Sequence, residues 1–77
     1  MQHMRPFKMI HPGKLLDSEC IAREIQPPDD WLPFIYGGDL TIELANEFER
    51  ELMISAEFWM RLYTNYKEWL DEENKAN

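Results

Sequence analysis

Apolar residues recur three and four positions apart over two stretches in the second half of this 77-residue chain. Leu44, Ala45, Phe48 and Leu52 fall on one stripe, with Glu43, Glu47, Glu49, Arg50 and Glu51 on the other faces. That spacing predicts an amphipathic helix over residues 42–52, with Thr41 as its N-cap. Phe58, Trp59, Leu62, Tyr63, Tyr66, Trp69 and Leu70 continue the rhythm. They predict a last helix that opens at Ser55 as N-cap, carries Glu57 in its first turn and ends near residue 71. The closing DEENKAN is expected to fray.

The first half is punctuated by Pro12-Gly13, Pro27-Pro28 and Gly37-Gly38. A first helix is expected over residues 13–25, with Leu15, Leu16, Cys20 and Ala22 on its apolar stripe. Pro12 suits its opening position, and the Pro27-Pro28 pair is expected to end it. A short second helix is expected over residues 28–36, with Asp29 and Asp30 favourably placed in its first turn. Pro33 would fall in its interior, at a cost of about 3 kcal/mol, so this segment should kink or split into 3₁₀-like turns. Gly37-Gly38 supplies the stop. No strand pattern competes except weakly around Phe34, Ile35 and Tyr36. The expected fold is an all-α domain of four to five helices. It should occupy residues 1–77 as a single unit, with 1–10 and 72–77 flexible.

Composition narrows the function classes. Eight basic against fifteen acidic side chains give a net charge of −7. That sign opposes nucleic acid, which most binders meet with a face of lysine and arginine. It favours a protein partner, and a basic one. The single Cys20 fits a reducing cytosol and reads as a small core residue. There is no long apolar run and no signal-peptide pattern, so a cytoplasmic protein away from membranes is expected. His3 and His11 have no ligand-spaced companions, and His11 is expected to cap the turn before the first helix. No phosphate loop, nucleophile elbow or activated thiol is present, so neither an enzyme nor a cofactor is expected.

Four pieces in this order carry a family resemblance: His11-Pro12-Gly13-Lys14-Leu15-Leu16, a helix–proline–helix unit ending in Gly37-Gly38, Leu40-Thr41 before an Ala45-bearing helix, and Ile54-Ser55-Ala56-Glu57-Phe58-Trp59. Together they resemble the HigA-type antitoxins, a branch of the lambda-repressor-like helix-turn-helix proteins. In that family an HPG segment opens the first helix, and a "gTSpeFWl.LQ.aYd" segment closes the domain. The likeness spans roughly residues 7–70 and implies a truncated lambda-repressor-like fold. Its implied activity is that of an antitoxin or regulator.

Departures from the family matter as much. About one helix is absent between the HPG segment and the helix-turn-helix, and residues 21–25 (IAREI) stand where an LA-containing helix would lie. The recognition helix, usually rich in Ser, Arg, Asn and Gln, is replaced by PDDWLPFIY over residues 28–36. Two aspartates at its start set like charges against DNA. At 4 Å such a pair costs about 1 kcal/mol in water and about 4 at an interfacial dielectric of 20. A bidentate base contact returns only about 1–3 kcal/mol. No lysine or arginine lies between Arg23 and Arg50 to compensate.

The leading expectation is therefore an acidic, antitoxin-like protein that binds and inhibits a protein: a toxin, or host machinery if the chain is phage-encoded. Candidate partner-binding residues are Asp29, Asp30, Trp31, Phe34, Tyr36, Glu43 and Glu47. Trp31, Phe34 and Tyr36 could equally be core if their helix packs flat. Trp59, Tyr63, Tyr66 and Trp69 form a candidate interface for a two-fold homodimer. The alternative is a DNA-binding regulator using Arg5, Lys8, Lys14 and Arg23.

Overall fold

The computed structural model describes residues 9–76. Within them the chain is all-α: α1 (Gly13–Ala22), a 3₁₀ turn (Asp29–Trp31) leading into α2 (Leu32–Ile35), α3 (Ile42–Leu52) and α4 (Ala56–Ala76). No strand occurs among the described residues. The expected flexible residues 1–8, with His3, Arg5 and Lys8, lie outside them.

α3 forms where its apolar spacing places it. The Thr41 hydroxyl accepts the Leu44 N–H at 3.1 Å, and Ala45, Phe48 and Leu52 are buried. Its last turn closes on Met53, which adopts a left-handed conformation (φ 63°) usually left to glycine. α4 follows at once and is capped twice. Ser55 Oγ accepts from the Phe58 N–H at 3.1 Å, and Glu49 on α3 accepts the Ala56 N–H through Oε1 at 2.8 Å. The second cap also locks the α3–α4 corner. α4 runs on to Ala76, past the expected end near residue 71. Glutamate, lysine and alanine are good helix formers, and Lys75 in the last turn suits the negative end of the dipole.

α1 is shorter than expected, and the prolines do not end it. Glu24 turns left-handed (φ 58°), so its N–H reaches the Ile21 carbonyl at 3.1 Å and the Ile25 N–H reaches that of Cys20 at 2.8 Å. This is a Schellman closure with glutamate in the usual glycine place. Leu16 and Cys20 are buried, whereas Ala22 is exposed and lies off the core stripe. The second segment splits as its proline demands. The 3₁₀ turn ends at Trp31, and α2 restarts with Pro33 in its first turn, where a missing N–H costs nothing. Gly37 (φ 105°) and Gly38 close α2 by donating to the carbonyls of Phe34 at 3.0 Å and Pro33 at 2.8 Å.

Phe48 occupies the middle of the core. Trp31 and Trp59 meet it edge-on at centroid distances of 5.0 and 5.2 Å, and Phe34 lies 5.6 Å away. Each such pair contributes about 0.5–1.5 kcal/mol beyond the area it buries. Leu16, Leu40, Ala45, Leu52 and Ala56 fill the remaining space. The Trp59 Nε1 is buried and has no hydrogen-bond partner among the described residues.

Candidate functional site

The 3₁₀ turn and α2 together make a seven-residue unit whose two faces are chemically opposite. Trp31 (1% exposed), Phe34 (0%) and Ile35 (8%) point into the core. Asp29, Asp30, Pro33 and Tyr36 face solvent, with Tyr36 80% exposed. Trp31 and Phe34 therefore leave the set of candidate partner-binding residues. Their rings are the packing surface that holds the unit down, and no partner can reach them in the folded chain. Tyr36 keeps its place because it follows the last helical residue and swings outward beside Gly37.

Trp31 also fixes the neighbours of this unit. Its indole N–H donates to Glu47 Oε1 at 2.7 Å. That bond ties the turn carrying Asp29 and Asp30 to the side of α3 carrying Glu43 and Glu47. Glu43 is exposed, whereas Glu47 is half-buried and one of its oxygens is already engaged. The resulting surface offers carboxylates from two elements and one phenol ring, with no lysine or arginine on the 3₁₀ turn or α2.

The candidate dimer residues divide in the same way. Trp59 is fully buried against Phe48 and is core. Tyr63, Tyr66 and Trp69 are half-buried along one side of α4. The Tyr63 hydroxyl donates to Asp39 Oδ1 at 2.6 Å, a cross-link that no periodicity reveals. Burial, then this hydrogen bond and the Asp39 charge, push the phenol above its ordinary pKa, while a backbone hydrogen bond at Leu40 pulls the other way. Tyr66 packs edge-on to His11 at 5.1 Å and lies 6.0 Å from Trp69.

His11 does more than cap its turn. Its Nδ1 accepts the Gly13 N–H at 2.9 Å, while Nε2 donates to the Gly38 carbonyl at 2.9 Å. The pair of bonds requires the Nε2–H tautomer. The ring also packs 5.0 Å from Phe34. Gly13 must be glycine, because a Cβ there would overlap the Phe34 carbonyl oxygen. The His-Pro-Gly segment is thus the joint between α1, α2 and α4.

Of the cations in the DNA-binding alternative that are described, Lys14 is exposed on the first turn of α1. Arg23 lies at the far end of that helix, held 3.1 Å from Glu19. Cys20 is buried, and burial followed by the Asp17 carboxylate pushes its thiol up, away from the reactive thiolate. Among the described residues no three His, Cys, Asp or Glu side chains converge to hold a metal. No described helix is long and apolar enough to cross a membrane.

No protein-family model matches this chain, and no curated protein or solved structure matches it.

Proposed function

We propose that this chain is a HigA-antitoxin-like helical protein that acts by binding and inhibiting a basic protein partner. The observation that carries the reading is the solvent face of the 3₁₀ turn and α2. Where a helix-turn-helix protein would present donors to a duplex, this face presents Asp29, Asp30, Pro33 and an exposed Tyr36. Carboxylates beside a ring suit a lysine- or arginine-bearing surface, since the ring face attracts a cation and the acids pair with it. Glu43 and the free oxygen of Glu47 extend the same field and would speed encounter at low salt.

The family likeness rests on sequence, and local geometry supports it. His11 and Gly13 of the His-Pro-Gly segment each have a structural task, and the left-handed Met53 stands where the family pattern has glycine.

The test is capture of a partner by the immobilised chain from its native host, repeated with D29K/D30K and with Tyr36→Ala. Both variants should keep the helical circular dichroism and lose the captured protein. A mobility-shift assay on the upstream DNA of its own gene, run across salt, is the counter-test. Sequence-specific retention there, unaffected by D29K/D30K, would defeat the reading.

A further inference from the structure

A shallow groove of about 360 Å³ lies between the start of α1 and Leu62 of α4, with none of residues 29–36 in its described lining. Met9, Leu15 and Leu62 are half-buried in it, and Ile10 stands at its edge 69% exposed. Its size falls in the range of ordinary ligand sites, but it is open along its length, as a groove for a helix or strand is.

The charge on its described lining differs from that on the acidic face. The chain carries a net charge of −7, yet no carboxylate is among the described residues that line this groove. Among the described lining residues the one charged side chain is Lys14, which makes no ion pair among the described residues. Glu19, one turn along α1 from Leu15, is already neutralised by Arg23. Asp17, half-buried on the same helix, is not among the lining residues, so the apolar floor and the Lys14 ammonium together favour an anionic group there.

We infer that this groove docks an acidic amphipathic helix of a protein partner. Apolar side chains at three- and four-residue spacing would seat on Ile10, Leu15 and Leu62, and a flanking carboxylate would meet Lys14. A basic helix would set its cations against Lys14 with no acid in the lining to offset them. The site is separate from the Asp29–Tyr36 face, and either can fail without the other.

The experiment is an amide chemical-shift titration of the full ¹⁵N-labelled chain with two synthetic helices, one built of Leu and Glu and its twin of Leu and Lys. The Leu/Glu helix should shift the amides of Ile10, Lys14, Ser18 and Leu62. Lys14→Glu should weaken that binding about ten-fold or more, and should turn the preference toward the Leu/Lys twin. Lys14→Met should fall between, and both substitutions lie on an exposed position that leaves the remaining spectrum in place. Equal affinity for both helices, shifts confined to other residues, or no shift at all would overturn the inference. So would the same amides moving when the chain alone is concentrated, because the occupant would then be a second copy.

Discussion

Trp31 and Glu47, sixteen residues apart, are joined by a 2.7 Å hydrogen bond from a buried indole to a half-buried carboxylate. The bond decides how the acidic face is built, because it pins the 3₁₀ turn to α3. Glu47→Ala would strand the indole N–H in the core, at a cost of about 1–3 kcal/mol. Glu47→Gln keeps an acceptor and should cost less. In urea unfolding, Glu47→Ala in a Trp31→Phe background should be nearly neutral. Additive losses in that double variant would show that the bond contributes little.

Gly13 of α1 sits so near the Phe34 carbonyl of α2 that a side chain there has no room. Gly13→Ala must push the two helices apart, and overpacking of this kind costs about 1–3 kcal/mol or more. A chain of this length has only about 4–11 kcal/mol in hand. The melting temperature should drop by roughly 4–24 °C, at about 4–8 °C per kcal/mol for a domain of this size. A melting curve that matches the wild type would refute the role given to this glycine.

Met53 carries a side chain in a left-handed conformation while 84% exposed, so it contributes strain and little packing. Left-handed backbone costs a residue with a Cβ about 1–2 kcal/mol, and glycine returns about 0.5–1 through the freedom of the unfolded chain. Met53→Gly should therefore stabilise the fold by about 0.5–1 kcal/mol, read as a higher urea midpoint. Glu24→Gly should behave alike, since it too sits at positive φ. Destabilisation by both would contradict the strain.

Alkali should unfold the protein in a way that depends on Cys20 and Tyr63. Both groups hold their protons more tightly when folded, chiefly through burial, with Asp17 adding to the effect on the thiol and Asp39 on the phenol. A raised folded pKa stabilises fully below the unfolded value, and that stability is lost as pH rises through the folded one. Thiols and phenols in unfolded chains ionise near pH 8.5 and 10 (approximate values), so the loss should begin above about pH 8.5. Urea midpoints measured from pH 7 to 10.5 should fall, and Cys20→Ala should flatten the first part of the decline. An unchanged slope in that variant would exclude the thiol as its source.

Much of this architecture is legible in the sequence where the signal is local. α3 and the start of α4 follow from Leu44, Ala45, Phe48 and Leu52, from Phe58 and Trp59, and from the Thr41 and Ser55 caps. Pro33 foretells the split between the 3₁₀ turn and α2. The end of α1 is hidden because glutamate takes the place where a glycine would have announced it. The direction of Trp31 and Phe34 is hidden for another reason. A unit of seven residues has too few turns to reveal a face, and the contact that orients it is made with Glu47 on another helix. The sequence therefore leaves Trp31, Phe34 and Tyr36 open between core and surface, and burial decides it: the first two rings are core and Tyr36 is exposed.

His11 has a consequence for how the domain comes apart. One small ring touches the turn before α1, the Gly38 loop, Phe34 and the tyrosines of α4. Segments from the beginning, middle and end of the chain share this clasp. Releasing it loosens all three together, which lends a short chain without a disulfide the cooperativity of a larger one.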